Sequence, residues 1–226
     1  MAEPIILEGK VTASVRELRF SFAGMVESVS VETGKMVAAG TVMARLSANE
    51  LQKKHQLKLE AYNKMRATFE QLKKKIEGND DPDKKYLMDR AQADLNSSVL
   101  EVELSQIELE SAVLKCPFNG LVMDDGGIAL GMAISPASFP IKVIDLSTLR
   151  VMAEIDQDKL NSIKVEHYVE FQPVSFQEKI YKGRVLGFTP TLVDNKSDKF
   201  GLWCIFENME NLLPGMRGEL KVFVDK

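Results

Sequence analysis

Two hydrophobic periods share this chain. Residues 25–46, MVESVSVETGKMVAAGTVMARL, are rich in Val, Met, Thr and Gly and read as short strands. From Ser47 the composition changes to Leu, Gln, Lys, Glu and Ala, and no proline follows until Pro82. Apolar positions now recur at steps of three and four, the helical period. One seam runs Tyr62, Met65, Phe69, Leu72, Ile76. A second runs Met88, Ala91, Leu95, Ser98, Val102, Ser105, Leu109, Ala112. The alternation predicts two helices joined as a coiled coil. Large residues on one seam can face small ones on the other, and an antiparallel register puts Phe69 near Ala91 and Tyr62 near Ser98.

The ends of these helices are also written locally. Ser47-Ala48-Asn49-Glu50 is a capping box, with Leu46 and Leu51 placed for a hydrophobic staple. Lys73, Lys74 and Lys75 suit the negative end of the first helix, and Gly78 suits the left-handed position just past it. Asp81 can cap the second helix, with Pro82 at its first position, and that helix should reach about Val113. A turn this short forces an antiparallel hairpin. Arms of roughly 30 residues reach about 45 Å at ~1.5 Å per residue.

Strand character then returns, and it repeats. Gly24-Met25-Val26 matches Gly120-Leu121-Val122, and Gly34 and Val37 match Gly131 and Ile134 at nearly the same distances. This is an internal repeat of a short β-unit, each copy too small to bury a core alone. The copies should pack as one small sandwich, interrupted at its middle by the helices. After Thr148, the segments LRVMAEI, YVEFQP, KIYKGRVLGF, GLWCIFEN and GELKVFVD read as five strands. DQDKLNSI reads as a short helix capped by Asp156. Five or six strands with one short helix suit a small closed β-barrel, with Trp203 in its core. The fold class is therefore mainly β with a long α-helical hairpin.

Composition removes several function classes. A net charge of −4 over 226 residues, without a dense basic stripe, gives no reason to expect a nucleic-acid partner. Apolar runs of only a few residues do not span a bilayer. Cys116 and Cys204 are far apart and read as free, buried thiols. Gly126 to Gly131 has phosphate-loop spacing, but Met132-Ala133 stands where Lys and Ser/Thr would be needed. Two isolated histidines, His55 and His167, do not converge on a metal site. No nucleophile with a base, and no paired carboxylates, stand out, so no catalytic residue, cofactor or metal is assigned.

The Gly-x-Val pattern of the repeat resembles biotinyl and lipoyl domains. The acceptor lysine of such domains would fall at Glu50, so a carrier role is disfavoured. A lipoyl-like domain split by a helical hairpin and followed by a β-domain resembles the membrane fusion proteins, the haemolysin-D-like periplasmic adaptors of tripartite efflux and secretion systems. CPFNGLV resembles the family's A-P-x-x-G-x-V, IDLSTLRVMAEIDQDKLNSIKV its passage into the barrel, and NLLPGMRGELKVFV its closing strand. The resemblance implies a lipoyl-like half at 10–46, a coiled-coil α-hairpin at 47–113, the second half at 114–147 and a β-barrel at 148–226. It implies a non-enzymatic, extracytoplasmic adaptor, tethered to the inner membrane by a segment outside this chain. Its partners would be an inner-membrane transporter of ABC or RND type, an outer component such as an outer-membrane duct, and further copies of itself in a ring, commonly of six. The expected contact site is the hairpin tip: Gly78, Asn79, Asp80, Asp81, Asp83, Lys84 and Lys85. A coiled-coil scaffold working without a transporter shares all these features.

Overall fold

The structure is a computed structural model that describes residues 4–76, 82–190 and 199–224. It is mostly β with a helical region. Strands β1 (Ile5–Leu18), β2 (Gly24–Val29), β3 (Met36–Val37) and β4 (Val42–Leu46) precede helices α1 (Asn49–Ile76) and α2 (Pro82–Glu110). Strands β5 (Val113–Lys115), β6 (Gly120–Asp124), β7 (Ala133–Ile134) and β8 (Ile141–Asp156) follow. The chain closes with α3 (Gln157–Leu160), β9 (Tyr168–Pro173), β10 (Tyr181–Pro190), β11 (Lys199–Phe206) and β12 (Arg217–Val222). It divides into two compact units, one of Met1–Arg16, Phe118–Leu121 and Val143–Lys226, the other of Glu17–Pro117 and Val122–Lys142.

In the first unit the strands pair in the order β1, β12, β9, β10, β11, β8, and β1 pairs again with β8, so the sheet closes on itself. Alternation along each strand sends one set of side chains inward. Val151, Ala153 and Ile155 from β8, Val169 and Phe171 from β9, Leu202 and Cys204 from β11, and Leu220 and Val222 from β12 are buried together. The Phe171 and Phe206 rings sit 6.0 Å apart and tilted, a favourable aromatic geometry. Trp203 corrects the expectation of a core tryptophan. Leu202 and Cys204 hold the inward parity of β11, so Trp203 stands on the opposite face, half-buried, and its Nε1–H donates to Thr189 Oγ1 at 2.7 Å. The strand from the chain's start, β1, is not among the five expected. It pairs with β12 from Ile5–Val222 to Lys10–Arg217 and contributes Val11 to the core. Asp156 does precede α3 with extended backbone, but its side chain makes no capping bond.

In the second unit the repeat appears as a symmetric exchange of hydrogen bonds. Gly34 N–H donates to the Val122 carbonyl, and its counterpart Gly131 N–H donates to the Val26 carbonyl. Val122 N–H donates to Lys35, and Val26 N–H donates to Met132. Each copy thus completes the other, which is why neither could stand alone. Gly34 and Gly131 both have positive φ, 86° and 81°, the left-handed conformation that glycine adopts without penalty.

A four-stranded sheet of order β5, β4, β2, β7 carries the helices. Strand β4 runs into α1, α2 runs into β5, and the two strands pair from Val42–Lys115 to Arg45–Val113. Leu46 N–H donates to the Ala112 carbonyl at 2.8 Å at the point where the helices leave. This ladder takes residues that the helical reading claimed. Ser47 N–H donates to the Met25 carbonyl, so Glu50 has no Ser47 amide to reach back to. Ala48 instead supplies the first helical carbonyl, to Gln52. Likewise α2 ends at Glu110 rather than near Val113, because Val113 is already paired in β5.

Candidate interaction surface

The two helices are antiparallel. Lys54 pairs with Glu108, His55 with Ser105 and Lys58 with Glu101, so residue numbers rise on α1 as they fall on α2. Carried outward, the same offset puts Tyr62 level with Ser98 and Phe69 level with Ala91. On α1 the partly covered residues are Leu51, His55, Lys58, Tyr62, Met65, Phe69, Leu72 and Ile76, a continuous seam of four–three steps. No residue of α1 is fully buried. A two-helix arm lacks the width to enclose side chains, so most of its surface is available to solvent or to a partner.

Of the expected tip residues, Gly78, Asn79, Asp80 and Asp81 lie outside the described residues. Asp83, Lys84 and Lys85 form the first turn of α2, where Asp83 suits the positive end of the helix dipole. Asp83 and Lys85 are exposed, and Lys84 is partly covered.

Sequence reasoning overlooked a second row on α2. Leu100, Leu104 and Ile107 are 58, 61 and 58 % exposed. Their four–three spacing repeats that of the seam but is displaced by two residues, onto the side of α2 turned away from α1. The signal was present in the sequence as a second heptad row, masked because the seam alone accounts for the pairing of the two helices. The helices also differ in charge. Residues 49–76 carry eight Lys and Arg against three Glu, net +5 with histidine neutral. Residues 82–110 carry three against seven Asp and Glu, net −4.

Among the described residues, no helix is long and apolar enough to cross a membrane. No family model and no curated protein sequence matches the chain. Solved structures do match, with low identity. A membrane fusion protein from Streptococcus pneumoniae is 16% identical with a TM-score of 0.73, over 98% of this chain and 100% of that one. A MacA–MexA chimera containing the α-hairpin domain of Pseudomonas aeruginosa MexA is 19% identical with a TM-score of 0.77, over 100% of this chain and 83% of that one. The periplasmic adaptor protein EmrA is 15% identical with a TM-score of 0.57, over 99% of each chain. The likeness spans both compact units and the helices, and the fold of this chain is that of the membrane fusion and periplasmic adaptor proteins.

Proposed function

We propose that this chain is a non-enzymatic adaptor that links an inner-membrane transporter, of ABC or RND type, to an outer component in efflux or secretion. The observation that carries this reading is the insertion of a long antiparallel helix pair between paired strands β4 and β5, within a fold matched over nearly its whole length by adaptor structures. In this reading the paired helices are a coiled-coil hairpin acting as a spacer, the repeated β-unit is a split lipoyl-like domain, and the closed six-strand sheet is the barrel that sits toward the transporter. The chain works outside the cytoplasm, tethered to the inner membrane, as a ring of copies, with six the expected number. The tip, Gly78 to Lys85, contacts the outer partner.

The test is deletion and complementation in the source cell. Loss of the chain should raise retention of exported compounds or abolish secretion of a cargo protein, and the wild-type chain should restore it. A double variant, Asp80→Ala with Lys85→Ala, should fold as the wild type yet fail to complement. Unchanged export and secretion after deletion would reject the adaptor reading. The carrier alternative is judged by intact mass after co-expression with a lipoyl or biotin ligase. Glu50, at the acceptor position, lies in the first turn of α1, so no adduct is expected.

A further inference from the structure

Strands β11 and β12 stand three strands apart in either direction around the closed sheet, so the loop between them, residues 207–216, has to cross its end. Leu212 points from this crossing into the core and is 2 % exposed. Two turns frame it. The first starts at Met209, with Leu212 N–H donating to the Met209 carbonyl and Asn211 at a φ of 67°. The second ends at Met216, with Met216 N–H donating to the Leu213 carbonyl and Gly215 at a φ of 95°. Both methionines are partly covered and pack against the same core as Leu212. Met216 Sδ also accepts the Leu213 N–H at 3.4 Å, which ties the thioether to its own turn.

The ends of the crossing are fastened by hydrogen bonds. Glu207 N–H donates to the Lys182 carbonyl, and the Tyr181 hydroxyl donates to the Glu210 carbonyl at 2.9 Å. Gly215 N–H donates to the Val11 carbonyl, and Val11 N–H donates to the Met216 carbonyl. No described main-chain hydrogen bond ties residues 211–214 to a strand, so apolar contact at Leu212 and the two thioethers seats the middle of the loop. A thioether is apolar, but one added oxygen turns it into a polar sulfoxide. At Met216 that oxygen either takes the Leu213 N–H and pushes the sulfur off the core, or turns to water and leaves the N–H without the sulfur. Both outcomes take apolar cover from this end of the sheet.

We propose that Met209 and Met216 are an oxidation site that acts as a latch, whose conversion to sulfoxide frees Leu212 and opens the crossing. The reactant is a two-electron oxidant of the hydroperoxide class. With hydrogen peroxide, the sulfur lone pair attacks one peroxide oxygen. An S–O bond forms as the O–O bond breaks, and the departing hydroxide takes the remaining proton and leaves as water. Sulfur loses two electrons and the peroxide gains them. Methionine sulfoxide reductases return the thioether, so the latch can close again. Met25, Met36 and Met123 are exposed and belong to the other compact unit, so their oxidation leaves this loop in place. The inference stands apart from the adaptor reading.

A glutamate-specific protease reads the latch in the full chain, because Glu207 and Glu210 lie in the loop. The chain is treated with graded hydrogen peroxide, quenched, and mapped by peptide mass for oxygen at each methionine. It is then digested briefly under native conditions. Cleavage after Glu210 should rise about tenfold or more once Met209 and Met216 are oxidised, with the strand signal in circular dichroism unchanged. The rise should reverse when a methionine sulfoxide reductase removes the two oxygens, a comparison made on the wild-type chain alone. Met209→Leu with Met216→Leu nearly conserves apolar volume and cannot be oxidised at either site. Its cleavage after Glu210 should not respond to peroxide, although Met25, Met36 and Met123 still react. Unchanged cleavage in a chain carrying both sulfoxides would overturn the inference. An equal rise in the double variant would also overturn it, by assigning the effect to another methionine. Loss of the strand signal together with cleavage would mean unfolding of the whole unit and would overturn the latch. Met209 and Met216 left untouched after the exposed methionines have fully reacted would overturn the site itself.

Discussion

His55 Nδ1 lies 2.9 Å from Ser105 Oγ, and that hydroxyl donates its only proton to the Val102 carbonyl at 2.7 Å. The imidazole must therefore donate through Nδ1. Ser105 is only 3 % exposed, so this is a buried polar cross-link within the seam, at the root of the helix pair. It fixes the register from which every other level along the arm follows. His55→Ala leaves a buried hydroxyl oxygen with one partner fewer and opens space beside it. A loss of about 1 kcal/mol is expected from the hydrogen bond alone. Urea unfolding of His55→Ala, Ser105→Ala and the double variant would show the coupling. Strict additivity of the two single effects would mean that the pair does not act as a unit.

In the closed sheet the sensitive position is Gly183. It is paired with Phe206 across β10 and β11. A Cβ at this glycine would come within 2.2 Å of the Ile205 carbonyl oxygen and 2.7 Å of the Phe206 ring. Backbone cannot yield as a flexible side chain can, and Phe206 is already packed against Phe171. Gly183→Ala should cost roughly 1–3 kcal/mol, the usual penalty of overpacking. Gly187→Ala on the same strand meets nothing within 4 Å. Melting curves of the two variants should differ clearly, and equal midpoints would show that the sheet can shift to admit the methyl.

The seams, the β-repeat and the strands of the last third were legible because each is a local pattern. Tyr62, Phe69 and Ala91 declare their face by spacing alone. The misread positions are those where a longer-range partner decided. Ser47 satisfies every local rule for a capping box, yet its amide is taken by Met25 of β2. Trp203 was assigned by residue type, while its face is set by the parity of Leu202 and Cys204. Strand β1 was overlooked because its partner, β12, lies about two hundred residues away in sequence. Of the candidate surface, the expected tip residues Gly78, Asn79, Asp80 and Asp81 lie outside the described residues. The Leu100–Leu104–Ile107 row became visible only when exposure separated it from the seam.

Both thiols should be silent in the native protein. Cys116 and Cys204 have no exposed surface. Burial pushes the Cys204 thiol up to about 12, so the reactive thiolate is scarce at neutral pH. A thiol-reactive chromogen should label neither cysteine in the folded chain within minutes at pH 8, and both in denaturant. Rapid native labelling of one equivalent would mean that one unit opens locally well below global unfolding.

Acid should weaken the second unit partly through Asp124. Its carboxylate accepts the Gly126 N–H at 2.9 Å, and Lys142 Nζ lies 3.3 Å from its other oxygen. The Gly126 hydrogen bond first, and the Lys142 contact second, hold its pKa below the ordinary 3.8. A carboxyl whose folded pKa is depressed adds stability that is present in full above the unfolded value. That contribution fades as pH falls through 3.8 to the lower folded value, and is gone once both states are protonated. Asp124→Asn keeps an oxygen for Gly126 but never carries the charge. The gap in melting temperature between wild type and Asp124→Asn should therefore be widest near pH 7, shrink below pH 4 and close near pH 2. Salt should narrow it at neutral pH, because the Asp124–Lys142 pair is solvent-exposed. A gap that stays constant from pH 7 to pH 2 would mean that the asparagine perturbs the turn itself, and that the charge on Asp124 contributes nothing to holding it.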